Sequence, residues 1–306
     1  MLCAALGVWL QLSAGRYGLI NISVAPLREE PSHSAEMGTE AVIGTPLLLD
    51  SVVDDEWWLL QMPCGYRGYI HVSSVQVLTD EEASAWRSAR RLESCVPMAW
   101  LVPDGEPLRA SYVPYGGLVE FLSDAGHGRV RVRLPSGERA IAPADNFREF
   151  KRGKVFPVTA EDIERVILCA KAMTGSPYLW GGTTMLAPDC SGFTQLCWRE
   201  AGVLLPRNAS QQASVGEEVS GLESAQRGDL LFFTSPTGRV DHVALYLGEG
   251  GVIQSSARVW EGTLLKERAS VRFPYYGRKV AYIRRLKSAP AGSIRLISSS
   301  PLYFNQ

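Results

Sequence analysis

Several features are scarce or absent in this chain of 306 residues, and each absence excludes a class of protein. The formal net charge is -1, from 31 basic and 32 acidic residues, and no basic stripe stands out, so a nucleic-acid partner is not predicted. No HExxH or CxxC motif occurs, and no histidine stands at zinc-ligand spacing from a cysteine, so neither a metal nor another cofactor is predicted. The remaining composition, 46% apolar and 21% charged, is that of an ordinary globular protein.

Cysteine is also infrequent, with six residues in the chain. An even number is compatible with three disulfides, but a chain of this length buries enough apolar surface to fold without them. Residues 1–15 are apolar and contain no Lys or Arg, so they are interpreted as a signal-peptide remnant or a lead-in segment. The segment is too short to span a bilayer, and stable membrane insertion is not predicted.

Two regions of short β-rich segments, separated by turn residues, precede the rest of the chain. They predict small all-β domains at residues 16–79 and 95–150. The segments GYRGYIHVSSV and SGERAIAPADN, near the two region ends, share a turn, a strand and a polar stop, which favours an internal duplication. Between them, residues 80–94 begin with acidic residues and end with arginines, so a connecting helix is predicted there.

The last region, residues 151–290, has a mixed pattern. Apolar residues recur at helical spacing over 160–174, a Gly/Pro-rich loop follows, and a second helix is predicted at 191–201. Strands are predicted at 229–234, 242–247, 252–256 and 280–286. Helices followed by an antiparallel sheet indicate an α+β domain. The tail, residues 291–306, has no predicted structure.

Cys190 is the candidate nucleophile. Asp189 is a good N-cap residue, which places Cys190 in the first turn of the second predicted helix. The helix dipole favours a thiolate at that position, so we expect an exposed and reactive cysteine. Cys197 lies two turns further along among apolar residues and is expected to be a buried core thiol.

A cysteine peptidase also needs an imidazole base beside the thiol and a third group that orients the imidazole. His242 is the only histidine in the last region. The turn GEGG predicts a hairpin from two strands, and it places Gln254 within cross-strand reach of His242. Gln254 can accept a hydrogen bond from one imidazole nitrogen and leave the other facing the thiol. A solvent-facing glutamine is the structural alternative.

These residues resemble a known family. The motifs PYLWGGTT and DCSGF, followed by DHVALYLG, are similar to those of the NlpC-type papain-like cell-wall peptidases over residues 162–286. The resemblance implies a papain-like domain with helices packed on an antiparallel sheet. It also implies cleavage of peptidoglycan stem peptides after γ-linked D-glutamate, with Cys190, His242 and Gln254 as the catalytic residues. The Cys190 backbone N–H would help to stabilise the oxyanion.

The upstream regions resemble two bacterial SH3-like barrels. The segment VAPLREEPSHSAEMGTEAVIGTPLLL is similar to the first such module of γ-D-glutamyl-L-diamino acid endopeptidases. The resemblance implies that this module closes the substrate groove, and that the substrate is L-Ala-γ-D-Glu-diamino acid with a free N-terminal L-alanine. The implied substrate-binding residues are Tyr178, Trp180, Asp189, Ser191, Arg207 and Asn208, with Tyr66 and Glu30 as candidates for holding the free amine.

The chain departs from the family pattern at two positions. Relatives commonly have His where this chain has Gln254, and Asp where it has Asn208. A glutamine can orient an imidazole but carries no charge, so a shifted pH profile is expected. An asparagine keeps a carbonyl acceptor without the negative charge, so binding of the substrate ammonium should be weaker.

The resemblance therefore implies an endopeptidase that cleaves the bond between γ-D-glutamate and meso-diaminopimelate or L-Lys, and a monomer is expected. Its expected location is the cell envelope, the periplasm or the medium, with cytoplasmic recycling of peptides as the alternative. Two other functions fit the same residues: a non-catalytic wall-binding protein, and a papain-like acyltransferase or amidase. The upstream modules disfavour the acyltransferase because they suit a wall peptide better than a lipid.

Overall fold

The computed structural model describes residues 16–105, 107–153, 157–264, 280–288 and 293–305. The predicted lead-in at residues 1–15 lies outside this part of the chain. The described residues form an α+β structure: a region rich in antiparallel sheet comes first, and helices packed on a further sheet follow. No helix in these ranges is both long enough and apolar enough to cross a membrane.

The first region is a seven-stranded antiparallel sheet of order β3-β2-β6-β5-β4-β1-β7. Its strands are β1 (Arg16–Ile20), β2 (Val24–Arg28), β3 (Met37–Val42), β4 (Pro46–Val53), β5 (Trp57–Gln61), β6 (Arg67–His71) and β7 (Val75–Leu78). Alternate side chains of each strand face one side, and Leu27, Leu49, Leu60 and Ile70 are fully buried there. This side of the sheet is the core of the region.

Helix α1 (Asp80–Ser88) follows, and the predicted helix over 80–94 is too long. Thr79 and Glu82 form a capping box at its start, in agreement with the acidic beginning of the segment. The chain becomes extended at Ala89, and Arg91–Ser94 is strand β8. The reason is tertiary: β8 pairs with strands on both sides, which outweighs the helical preference of the segment.

The second region repeats the strand order of the first. Its strands are β8, β9 (Met98–Trp100), β10 (Val102–Pro103), β11 (Tyr112–Pro114), β12 (Leu118–Gly126), β13 (Arg129–Arg133), β14 (Arg139–Pro143) and β15 (Phe147–Phe150). The order β10-β14-β13-β12-β8-β15 corresponds strand by strand to β2-β6-β5-β4-β1-β7, and a 3-10 turn precedes the final strand in both. This correspondence supports the expected duplication, while the SH3-like assignment stays a prediction.

The last region contains three helices and a six-stranded sheet of order β16-β21-β17-β18-β19-β20. Its elements are α2 (Ala160–Ala172), α3 (Cys190–Arg199), α4 (Ala209–Gln212), β16 (Glu217–Glu218), β17 (Leu230–Thr234), β18 (Val240–Gly248), β19 (Gly251–Ser256), β20 (Arg258–Thr263) and β21 (Val280–Arg285). Val166, Phe193, Phe232 and Val243 join the helices to the sheet in one core. The predicted helices and strands are confirmed, and α4, β16 and β20 were not predicted.

The described part of the tail packs against the rest of the molecule. Tyr303 and Phe304 are buried beside Phe150, the last residue of β15, and Phe304 stacks on its ring. The Tyr17 hydroxyl in β1 donates a hydrogen bond to the Leu302 carbonyl at 2.6 Å. The tail therefore joins the first sheet to the second.

Candidate active site

Cys190 is the first residue of α3, as the sequence predicts. The Asp189 carboxylate caps the helix by accepting a hydrogen bond from the Gly192 N–H at 2.7 Å. The Asp189 N–H in turn donates to the Gly182 carbonyl at 3.0 Å. A Cβ atom at Gly192 would lie 2.1 Å from that same carbonyl oxygen, so this close approach requires glycine. The turn of the DCSGF motif is thus packed tightly against the loop before it.

The Cys190 side chain is buried, with 7% of the residue exposed, so the predicted exposure is wrong. Burial raises the pKa of the thiol to about 11, and the Asp189 charge raises it further. Hydrogen bonds from the backbone N–H groups of Val243 and Ser191 lower the pKa, but by less. Burial and the Asp189 charge therefore work against the predicted preference for the thiolate.

His242 and Gln254 contact each other across the β18–β19 hairpin. Leu245 faces Ile253 in the antiparallel register, which leaves Gln254 diagonal to His242. His242 Nε2 and Gln254 Oε1 lie 2.5 Å apart. Because the amide oxygen only accepts, Nε2 carries the proton and Nδ1 of a neutral imidazole holds the lone pair. Val243, whose N–H contacts the Cys190 sulfur, is the next residue after His242.

Arg207, Asp189 and Ser191 form a buried cluster beside Cys190. The Arg207 guanidinium makes an ion pair with Asp189 and donates to the Ser191 hydroxyl at 2.9 Å. Its Nε–H donates to Thr39 Oγ1 in β3 at 2.8 Å. Four hydrogen bonds within the protein thus occupy a group with five N–H donors, and Arg207 is 2% exposed. Most of the N–H donors of Arg207 are therefore occupied by other residues of the protein.

A cavity of about 620 Å³ opens at Cys190. Burial raises the pKa of the Tyr178 hydroxyl on its wall, and the Cys190 and Asp189 charges raise it further, as expected for a phenol close to both. The structure brings together along this cavity the predicted residues Cys190, Tyr178, Trp180, Asp189, Ser191, Arg207 and Asn208.

The first sheet supplies one wall of the cavity through Glu29 and Glu36. Trp180 Nε1 donates a hydrogen bond to Glu36 at 2.6 Å, and the Tyr66 hydroxyl donates to Glu29 at 2.5 Å. Tyr66 thus reaches the cavity wall through Glu29. Glu30 is exposed and is not among the residues that line the cavity, whereas Glu29, its neighbour in the turn after β2, is.

Other cavity residues were missed by sequence reasoning. The hairpin between β17 and β18 contributes Ser235, Arg239, Val240 and Asp241. Asp241 directly precedes His242, and this adjacency in the sequence could have identified Asp241 as a residue near the site. The described cysteines Cys64, Cys95, Cys169, Cys190 and Cys197 are all free thiols, and Cys197 is fully buried as predicted.

Residues 175–281 match the NlpC/P60 family. The chain is 36% identical over 127 residues to the gamma-D-glutamyl-L-lysine dipeptidyl-peptidase of Bacillus cereus, a match that covers 41% of this chain and 37% of that protein. It is 41% identical over 131 residues to the protein of the same name from Bacillus subtilis, covering 42% of each. The chain therefore matches less than half the length of these two relatives.

A solved structure of an NlpC/P60 family protein from Bacillus cereus has the same overall fold. It superposes with a TM-score of 0.75 over 88% of this chain and 99% of that one, at 23% identity. The similarity covers the β-rich region as well as the domain that holds Cys190 and His242. The last region of the chain therefore contains an NlpC/P60 domain, matched over residues 175–281.

Proposed function

We propose that the protein is a cysteine peptidase that hydrolyses the bond between γ-D-glutamate and the diamino acid of peptidoglycan stem peptides. One observation carries the proposal. The Cys190 sulfur lies on a cavity and close to the backbone of Val243, while the residue before Val243, His242, is hydrogen-bonded to Gln254. A nucleophile, a base and an orienting group are the parts that acyl transfer through a thioester needs.

The first half of the reaction starts from a neutral thiol. His242 Nδ1 takes the Cys190 proton as the sulfur attacks the γ-carbonyl of D-glutamate, which avoids a solitary thiolate in a buried site. The oxyanion forms next to the Cys190 N–H, a free donor at the start of α3. The imidazolium then gives its proton to the leaving amine, and an L-alanyl-γ-D-glutamyl thioester remains.

The second half consumes water. His242 Nδ1 removes a proton from a water molecule, the hydroxide attacks the thioester carbonyl, and the Cys190 sulfur leaves and recovers the proton. The Gln254 amide stabilises the imidazole tautomer in both halves but cannot neutralise the imidazolium, because it carries no charge. Activity is therefore expected to be retained, with a shifted pH profile.

Acidic residues next to the first sheet support the proposal that the enzyme prefers short peptides with a free N-terminal L-alanine. Glu29 and Glu36 bring two carboxylates to the wall next to Trp180. These charges compensate for Asn208, which is neutral, in binding a substrate ammonium. Free peptides of this kind are released from the cell envelope, and both an envelope enzyme and a recycling enzyme would encounter them.

The proposal is tested with L-Ala-γ-D-Glu-L-Lys and L-Ala-γ-D-Glu-meso-diaminopimelate, with the released diamino acid measured by mass spectrometry. Wild-type protein should release it, and Cys190→Ala should lower kcat/KM by at least about a thousandfold. His242→Ala should behave in the same way, and Gln254→Ala should retain measurable activity. The N-acetyl peptides should be cleaved more slowly than the free ones.

Cys95→Ala is the matched control, because it removes a free thiol from the second sheet region, outside the cavity. It should leave turnover within about twofold of the wild type. Release of the diamino acid by Cys190→Ala at the wild-type rate would contradict the proposed nucleophile. A wild-type protein that binds wall peptides and releases nothing would favour the binding function instead.

A further inference from the structure

The cavity at Cys190 has two chemically different walls. On one side the first sheet contributes Glu29 and Glu36, together with Trp180. On the other side the hairpin between β17 and β18 contributes Arg239 and Asp241. The first wall is acidic, whereas the second carries one charge of each sign.

A β-bulge shapes the second wall. Phe233 pairs with His242 and Thr234 pairs with Val240, so Asp241 is the extra residue of β18. Adjacent residues of a regular strand face opposite sides, but a bulge re-aims the strand locally. Here Val240 and Asp241 both line the cavity, directly before His242.

The chemistry of the reaction decides which part of the substrate meets this wall, and this step rests on the proposed function. The leaving amine belongs to the diamino acid, and His242 must come within hydrogen-bond reach of that nitrogen to protonate it. The diamino acid therefore lies along the start of β18, beside Val240, Asp241 and Arg239. The L-alanyl end extends toward the first sheet.

The two diamino acids differ in the group at the end of the side chain. L-Lys ends in an ammonium, whereas meso-diaminopimelate ends in a carbon that carries both an ammonium and a carboxylate. Arg239 is exposed on the cavity wall, and it makes no ion pair with another described residue. A guanidinium binds a carboxylate through two parallel N–H donors. The ammonium of L-Lys has no oxygen to accept these hydrogen bonds and carries the same charge as Arg239.

We propose that Arg239, on the bulged wall beside His242, binds the distal carboxylate of meso-diaminopimelate and makes the enzyme prefer this diamino acid over L-Lys. Asp241 supplies a carboxylate for the ammonium that both side chains have. Arg239 is thus a specificity-determining residue.

The experiment measures kcat/KM for L-Ala-γ-D-Glu-meso-diaminopimelate and for L-Ala-γ-D-Glu-L-Lys, with wild-type protein and with Arg239→Gln. The quantity compared is the ratio of the two kcat/KM values. The wild type should favour the diaminopimelate peptide, and Arg239→Gln should lower the ratio about tenfold, because an exposed charged hydrogen bond to the carboxylate is lost. Arg239→Lys should lower it less.

Lys171→Gln is the control, since it removes one exposed positive charge from α2, outside the cavity. It should leave the ratio unchanged. An unchanged ratio in Arg239→Gln, or an equal change in Lys171→Gln, would overturn the role of Arg239 while the peptidase remains. A wild-type protein that cleaves neither peptide would instead overturn the proposed function and this inference together.

Discussion

Two opposing influences act on Cys190. It starts a helix, where a negative charge is favoured, yet it is buried beside the negative charge of Asp189. The net effect is a pKa of about 11, so the thiol is neutral at ordinary pH. In the proposed mechanism, reactivity at neutral pH comes from proton transfer to His242.

This balance predicts a titration. In His242→Ala the thiol has lost its base, and its alkylation by iodoacetamide should rise with pH around a midpoint near 11, above the ordinary 9.0. The direction follows from burial, which disfavours the charged form and moves the midpoint upward. Mass spectrometry of the peptide that contains Cys190 measures the labelled fraction, and Cys95 serves as an internal reference. A midpoint below 9.0 would show that the helix terminus dominates.

For single residues, the sequence predicts which side chains belong to the site better than it predicts their burial and their hydrogen-bond partners. Cys190, His242 and Gln254 are identifiable because few side chains perform this chemistry and their spacing fits a helix start and a hairpin. The burial of Cys190 and the four internal hydrogen bonds of Arg207 depend on packing between distant segments. The choice of Glu29 over Glu30 depends on how the turn after β2 meets the cavity, which local pattern does not fix.

Among the elements, β3 connects the first sheet directly to the residues around Cys190. Besides the bond from Arg207 to Thr39, the Thr183 N–H donates to Glu40 at 2.9 Å. A Cβ atom at Gly181 would lie 2.4 Å from the Met37 carbonyl oxygen, so the loop before Cys190 runs directly against this strand. The strand therefore supports the residues that hold the start of α3.

This arrangement makes Thr39 a positioning residue with a testable effect. Thr39→Val keeps the shape of the side chain and removes the acceptor for Arg207 Nε–H, so Arg207 should hold Asp189 less firmly. We expect kcat to fall about three- to tenfold with little change in KM, because the start of α3 is displaced while the acidic wall is intact.

Thr39→Ser provides the matched comparison, since it retains the hydroxyl and loses only a methyl group. It should restore most of kcat. If both variants reduce kcat equally, or if Thr39→Val lowers only the melting temperature, β3 has a purely structural role.

The sequence predicts a β-rich region at residues 16–79 but does not single out β3 as a strand. Met37–Val42 contains Gly38, Thr39 and Glu40, which are weak signals for a strand on their own. Its position becomes fixed only when β2 pairs with it and the loop 180–184 packs on it. Helices α2 and α3, in contrast, have strong periodicity and clear caps, and their prediction was accurate to within two residues at each end.

For the whole molecule, an ionic cluster joins the second sheet to the end of α3. Arg148 in β15 donates two hydrogen bonds to Glu200, at 2.7 and 2.9 Å, and one to Glu93 at 2.8 Å. Arg199 also pairs with Glu93. Burial, together with the charge of Glu93, raises the pKa of Glu200 to about 7. The two carboxylates therefore lie close together, and the positive charges of the two arginines offset the repulsion between them.

Removal of Arg148 should destabilise the protein in a pH-dependent manner. Arg148→Met should lower the free energy of unfolding by about 1–2 kcal/mol at pH 8, because Arg148 is partly exposed but its partners are not. Without the arginine, the raised pKa of Glu200 favours protonation in the folded state, so the loss should be smaller at pH 5 than at pH 8.

Arg67→Met is the control, since its ion pair with Asp50 is about half exposed on both sides. It should change the free energy of unfolding by less than about 0.5 kcal/mol, as determined by urea denaturation. An equal loss for both variants, or a loss at position 148 that does not depend on pH, would contradict this account of the junction.

The arrangement of the three regions was only partly predictable. Length, turn spacing and motif position indicate two β-rich regions before an α+β domain. The tail had no predicted structure, because the role of Tyr303 and Phe304 becomes evident only where they meet Phe150. Contacts between regions depend on pairs of residues far apart in the chain, for which a single sequence offers no local signal.

The central claim is that Cys190 forms a thioester with the L-alanyl-γ-D-glutamyl group. Mass spectrometry of the protein, after acid quenching during turnover of L-Ala-γ-D-Glu-meso-diaminopimelate, measures this intermediate directly. The account predicts a mass increase of one L-alanyl-γ-D-glutamyl group, located on the peptide that contains Cys190 and absent from Cys190→Ala. Release of diaminopimelate by Cys190→Ala, or an adduct on another residue, would contradict it.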